Sequence, residues 1–198
     1  MDGRRGSLYR NLLVLAVTTL AVLAGVWATN IWRSDPAPAQ AGEQGGSASA
    51  VDVPESGGPA PEIGAQAPHF SASTLDGGTF DLADTGNRPV WLIFNATWCA
   101  NCRAEIPDVE EMYERFGDEI AIVSVFLSDT PSAVLNYRSA LQLTHAQVVD
   151  PSSEIGALYR VMGVPSHYFI SVDGTLQDIE VGVLGLAAME EHLAALLP

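Results

Sequence analysis

The sequence predicts a three-layer α/β domain carried behind an apolar N-terminal segment. Three observations lead there. Apolar, strand-like runs alternate with amphipathic helical stretches from residue 90 onward. Asp173-Gly174 sits between two late strand-like runs, as the turn of a hairpin does. The only two cysteines of the 198-residue chain, Cys99 and Cys102, fall where the first buried strand gives way to a helix.

Taken in order, Leu75-Asp76-Gly77-Gly78-Thr79 reads as a turn between short strands. Val90–Phe94 is continuously apolar, which suits a strand buried on both faces. A helix follows over about Ala100–Phe116, with Ile106, Val109, Tyr113 and Phe116 on one stripe and Gly117 as its stop. Pro107 lies inside it and predicts a kink. Ile120–Leu127 is a second buried strand. Pro131–Leu143 reads as a helix capped by Asp129 or Thr130. Ala146–Val149 is a short strand and Ser152–Val161 a short helix. His167–Ser171 and Thr175–Val181 form the hairpin, and Leu186–Leu197 is the last helix.

Ahead of the domain, residues 12–32 read LLVLAVTTLAVLAGVWATNIW and carry no charge. A helix needs about 20 residues to cross ~30 Å of hydrocarbon, so the segment is long enough for a single transmembrane anchor. Arg4, Arg5 and Arg10 precede it and only Arg33 follows closely. That bias places residues 1–11 in the cytoplasm and the rest outside, as in a single-pass protein of a bacterial cytoplasmic membrane. The alternative is a cleaved signal at Ala39-Gln40-Ala41, but this site lies well past the apolar run. In residues 33–62, Pro, Gly, Ala and Ser fill 20 of 30 positions, a composition expected of a flexible linker. Residues 63–198 then form one domain.

That domain carries 18 Asp and Glu against 5 Arg, for a charge of −13, and the chain has no lysine. Such a balance excludes nucleic acid and anionic lipid as partners of the domain. Two cysteines closing so small a loop add little as a staple, so the pair reads as chemistry. Cys99 at a helix start meets unpaired amides and the positive end of the helix dipole, which favour a thiolate. It can attack a partner disulfide, and Cys102 on the adjacent turn can then displace the partner. Metal binding is the competing use of the spacing. Zinc normally takes four ligands, however, and His69, His145, His167 and His192 have no ligand spacing to the pair. No metal or other cofactor is expected.

Four stretches together resemble a known family. Gly64-Ala65-Gln66-Ala67-Pro68-His69-Phe70, the Leu75-Asp76-Gly77 turn, Ala96-Thr97-Trp98-Cys99-Ala100-Asn101-Cys102-Arg103-Ala104-Glu105-Ile106-Pro107, and Gly163-Val164-Pro165-Ser166-His167-Tyr168-Phe169-Ile170 occur in order over about residues 63–198. The chain is similar to the membrane-anchored, thioredoxin-like thiol–disulfide oxidoreductases of bacteria, the ResA and TlpA types. The resemblance implies a thioredoxin fold with a central mixed sheet. It makes Cys99 the attacking thiol and Cys102 the resolving one, joined as a redox-active disulfide. It implies a cis bond before Pro165, which would face Cys99, with Trp98 and the Val164 backbone meeting a bound substrate chain. Glu105 matches an acidic residue near the active site of ResA-like proteins. As the third residue after Cys102 it can exchange the Cys102 proton, or it can be a solvated helix glutamate.

Three departures stand out. Ala100-Asn101 replaces the pair with proline found in many relatives. Ile93 stands six positions before Cys99, where thioredoxin has a buried aspartate. Ser166-His167 replaces the usual Thr-Thr after the proline, and His167 is expected to be packed or exposed on a strand rather than to touch the site. The function expected is reduction of protein disulfides outside the membrane, in cytochrome c maturation with apocytochrome c as a candidate substrate, fed by a membrane thiol carrier. A thiol oxidase, or a non-enzymatic binding module or copper chaperone, is the alternative. A peroxidase is disfavoured because the Pro-x-x-x-Thr-x-x-Cys pattern is not matched around Cys99.

Overall fold

A computed structural model of the protein describes residues 15, 17–25, 27, 51–53 and 60–197. The chain divides into two units, Met1–Gly45 and Gly46–Pro198. In the first, residues 15, 17–25 and 27 are helical. The remainder of the anchor expected over 12–32, residues 1–11 expected in the cytoplasm and most of the linker expected over 33–62 lie outside the described residues. Among the described residues no helix is long and apolar enough to cross a membrane.

The second unit begins with three short strands, β1 (Val51–Asp52), β2 (Ser71–Ser73) and β3 (Thr79–Asp81). They pair antiparallel in that order. Then come β4 (Val90–Asn95), α1 (Ala100–Phe116), β5 (Ala121–Leu127), α2 (Pro131–Leu141), β6 (Ala146–Asp150), α3 (Glu154–Leu158), β7 (Ser166–Ile170), β8 (Leu176–Val181) and α4 (Leu186–Leu196). The central sheet runs β6-β5-β4-β7-β8. β4, β5 and β6 are parallel, whereas β7 is antiparallel to both β4 and β8. β1 lies within the segment expected to be linker. Val51 opposes Ala72 across the strand pair, and Val51 and Val53 pack against the core. A three-residue alternation was too short to stand out from its Pro- and Gly-rich surroundings.

Alternation along β4 divides the core. Val90, Leu92 and Phe94 pack with Phe70, Phe80, Ile155 and Tyr159, beneath the small sheet and α3. Trp91 and Ile93 face the other way, onto Ile106, Val109 and Met112 of α1 and Met189 and Leu193 of α4. One outer layer is therefore helical, and the other is a small sheet plus one short helix. α3 is shorter than the stretch from Ser152 to Val161 because Ser153 and Arg160 adopt positive φ and break the helix at both ends. The Asp150 carboxylate accepts the amides of Glu154 and Gly156 at its start, at 2.8 and 3.0 Å.

α1 stays helical through Pro107 and ends at Gly117 as expected. Gly117 is in the right-handed region, so its backbone alone does not require glycine. A Cβ there would stand 2.6 Å from the Tyr113 carbonyl oxygen, and this close approach excludes other residues. Thr130, not Asp129, caps α2 by accepting the Ala133 amide.

A buried polar network ties α1 to the sheet. His145 Nε2 is 2.8 Å from Ser124 Oγ, and its Nδ1 is 2.6 Å from Glu110 Oε2. Glu110 Oε1 also accepts the Thr144 amide at 2.8 Å and the Thr144 hydroxyl. The Ser-His-Glu arrangement resembles a hydrolytic triad, but Ser124 is fully buried in β5 and its hydroxyl can meet no substrate. Burial opposes ionisation of Glu110, yet the hydrogen bonds from His145 and Thr144 outweigh it and lower its pKa from 4.5 to about 2. A lowered carboxyl pKa stabilises the fold fully above the unfolded value and loses that contribution as pH falls toward the folded one. Glu110→Gln is expected to cost about 1–3 kcal/mol at pH 7 by denaturant unfolding. Its deficit relative to the wild type should shrink as pH drops from about 4.5 toward 2; a constant deficit would refute the assignment.

Candidate active site

β4 lies at the centre of the sheet and delivers the chain, through Ala96-Thr97-Trp98, to the start of α1. Cys99 is the N-cap of α1, in extended conformation, and its Sγ accepts the Cys102 amide at 3.1 Å. Cys99 and Cys102 form a disulfide with Cα atoms 5.3 Å apart. Cys99 is 9% exposed and Cys102 2%, so the first sulfur is the more accessible one. No acidic side chain occupies the first turn of α1. On reduction, the amides at the helix start therefore face Cys99 with nothing there to oppose a thiolate.

The Val164–Pro165 peptide bond is cis. Val164 packs against both cysteines, and its carbonyl oxygen lies 3.5 Å from Cys99 Sγ. Beside this contact runs an open, mostly apolar groove of about 360 Å³, walled by Trp98, Leu127, Gly156, Met162 and Val164 among others. Trp98 is 63% exposed at its rim. The structure thus brings Trp98, Cys99, Val164 and Pro165 together, although some 65 residues separate the two segments. Ser128 and Ser153, both at positive φ, also line the groove, and their hydroxyls are 2.9 Å apart. No pattern in the sequence marks these two serines, because such φ values in non-glycine residues are set by packing.

Glu105 is 3% exposed, which overturns the solvated alternative. Its Oε1 accepts the Leu184 amide at 2.6 Å and lies 3.3 Å from His167 Nε2. The chain between β8 and α4 closes over this face of α1, a long-range arrangement that helix periodicity cannot reveal. His167 is fully buried on β7, directly opposite Ile93 in the β4–β7 register, and stacks on Trp91. It is packed as expected, but against Glu105.

Asp129 has a role that the sequence did not indicate. Instead of capping α2 it reaches back to the cysteine loop, accepting the Thr97 amide at 2.7 Å and the Thr97 hydroxyl at 2.6 Å. Among the described residues one cluster has ligand-like geometry, Asp178, Glu180 and His192 on β8 and α4, and it does not include the cysteines.

Residues 63–179 match the family model described as the AhpC/TSA family. The chain belongs to this family. Within the family it is 35% identical over 133 residues to the thioredoxin-like protein YneN of Bacillus subtilis, covering 66% of this chain and 78% of that one. It is 31% identical over 141 residues to the thiol-disulfide oxidoreductase ResA of Oceanobacillus iheyensis, covering 69% and 73%. A thioredoxin-family thiol:disulfide interchange protein from Chlorobium tepidum superposes with a TM-score of 0.61 at 24% identity, over 69% of this chain and 98% of that one, a likeness of fold. The chain is therefore a thioredoxin-like thiol–disulfide oxidoreductase of the ResA/TlpA type, with its Cys-x-x-Cys pair at disulfide distance.

Asp129→Ala removes both bonds that hold Thr97. It is expected to lower stability by about 1–3 kcal/mol in denaturant unfolding and to speed hydrogen exchange at the Thr97 amide. Unchanged exchange there would show that Asp129 does not hold the loop.

Proposed function

We propose that this family member is a membrane-tethered, extracytoplasmic reductase of protein disulfides that acts in cytochrome c maturation and draws electrons from a membrane thiol carrier. The observation that carries the reading is the Cys99–Cys102 disulfide at the start of α1, flanked by Trp98 and Val164 of an apolar groove and followed three residues after Cys102 by a buried carboxylate on the same helix. In the reduced protein the Cys99 thiolate attacks one sulfur of a partner disulfide. A mixed disulfide forms and the other partner sulfur leaves as a thiolate that takes a proton from water. Cys102 then loses its proton to Glu105 and attacks Cys99 Sγ. The protein disulfide closes, and the second partner sulfur leaves as a thiolate and is protonated in turn. The protein dithiol is oxidised and the partner disulfide reduced, with both electrons accounted for.

Trp98 and the Val164 backbone flank Cys99 and would hold an extended partner segment, with Pro165 fixing the Val164 carbonyl beside the sulfur. The direction is supported by Glu105. A carboxylate one turn from Cys102 disfavours a second negative charge on that thiol, and a less stable reduced form makes a better reductant. The tether is supported by the first unit. Leu15, Val17, Leu20, Val22, Leu23 and Trp27 are all exposed on its helix. The Thr18 and Thr19 hydroxyls bond back to the Leu15 carbonyl, which provides for their polar atoms in an apolar medium. The three arginines ahead of this segment support an outward-facing domain, where disulfide chemistry is sustained.

Cys99→Ala should abolish insulin-disulfide reduction, whereas Cys102→Ala should accumulate partner proteins disulfide-linked to Cys99 in intact cells. Full activity in Cys99→Ala would refute the mechanism. The reduction potential should lie toward about −270 mV; a value near −120 mV would identify an oxidase instead.

A further inference from the structure

His167 is fully buried on the cysteine-helix side of the central sheet, and a carboxylate of that helix lies against its ring. Its Nε2 lies 3.2 Å from the Gly182 carbonyl oxygen. A carbonyl can only accept, so Nε2 carries the hydrogen. The same Nε2 is 3.3 Å from Glu105 Oε1, and Nδ1 is buried with no hydrogen-bond partner among the described residues. Trp91 stacks along the ring with centroids 5.8 Å apart and prevents it from turning away. Oε1 of Glu105 thus receives the Leu184 amide from the chain between β8 and α4, and the His167 Nε2–H on β7, bonded to the Gly182 carbonyl, stands 3.3 Å from it as a second polar edge. Glu105 and Cys102 are three residues apart on α1, neighbours on one helix face, and both are buried.

We propose that His167 is a positioning residue for the resolving step: its Nε2–H, anchored on the Gly182 carbonyl, stands against the Glu105 carboxylate and keeps it in the helix–sheet interface, where that group takes the Cys102 proton. The proposal rests on the role given to Glu105 above. In the step, the Cys102 S–H proton passes to Glu105, the Cys102 sulfur bonds to Cys99 Sγ, and the bond from Cys99 to the partner sulfur breaks. The partner leaves as a thiolate and is protonated by water, and Glu105 then returns its proton to water. His167 gains and loses nothing; it keeps a polar N–H edge beside an oxygen of Glu105. The other titratable groups around His167 lie on β8 and α4. Glu180 opposes it in the β7–β8 register, and Asp178 and His192 stand two pairs further along, beside Phe169. β4 contributes Trp91, Ile93 and Asn95 to this face, none of them titratable.

The test is the pH profile of the resolving step in the purified chain, read by stopped flow as release of thionitrobenzoate after the reduced protein meets Ellman's reagent. Glu105→Gln is expected to slow the step roughly 100-fold and to remove its acid limb. His167→Leu should move that limb to higher pH by about one unit, because a buried carboxylate deprived of a polar N–H neighbour is harder to ionise. His167→Gln, which retains an N–H, should restore most of the wild-type profile and covers the case in which His167→Leu fails to fold. A His167→Leu or His167→Gln profile that changes equally in the Glu105→Gln background overturns the proposal, since His167 would then act without Glu105. A His167→Leu profile superimposable on that of the wild type overturns it too. If the wild type released no thionitrobenzoate, the exchange reading would fail instead. The Glu105 carboxyl titration, followed by ¹³C NMR, would still decide the matter: a midpoint unmoved by His167→Leu overturns the proposal.

Discussion

The contact between Cys99 Sγ and the Cys102 amide is the constraint on which the rest of the site depends. It exists because α1 begins at Ala100, a four-residue turn after a strand pinned at the centre of the sheet by β5 on one side and β7 on the other. A helix that started one residue later would carry its unpaired amides past the sulfur. The handover from strand to helix therefore decides which cysteine is exposed, which is buried, and where charge is tolerated. Asp129 secures it from β5's side by holding both polar groups of Thr97.

The two sides of the disulfide differ in kind. Toward solvent, Cys99 faces a cis-peptide turn and an apolar groove with an exposed indole at its rim. Toward the core, Cys102 is followed three residues later on α1 by a buried carboxylate that accepts the Leu184 amide and neighbours His167, both distant in the chain. In the proposed mechanism this asymmetry separates the two halves of a disulfide exchange, with the partner arriving on one side and the proton managed on the other. The same principle of enclosure explains a look-alike elsewhere. Ser124, His145 and Glu110 have the order of a hydrolytic triad, but Ser124 and His145 are enclosed in the core, where no substrate reaches the hydroxyl, and so they contribute to stability rather than to chemistry.

Much of this was legible in the chain because it is local. Val90–Phe94 announced a doubly buried strand, the Ile106 and Val109 spacing a packed helix face, and Asp173-Gly174 a hairpin; all are found in place. Where the local signal was weak, the reading departed from the structure. Val51–Asp52 pairs with β2 despite its linker-like surroundings, and the second outer layer is a small sheet with one short helix. Helix periodicity placed Tyr113 and Phe116 on the buried stripe, yet Met112 is the residue wholly enclosed, because α4 packs over that side.

The sequence by itself determined the reactive pair, its position between strand and helix, and the order of the elements around it. These follow from residue spacing and backbone geometry, which act over a few residues. Only the tertiary structure decided that Glu105 is buried, that His167 is its neighbour, that Asp129 serves the cysteine loop, and that Trp98 and Val164 share a groove. Each of these is a contact between segments tens of residues apart, set by strand register and by the chain between β8 and α4 folding back over α1, and no local pattern encodes such a meeting.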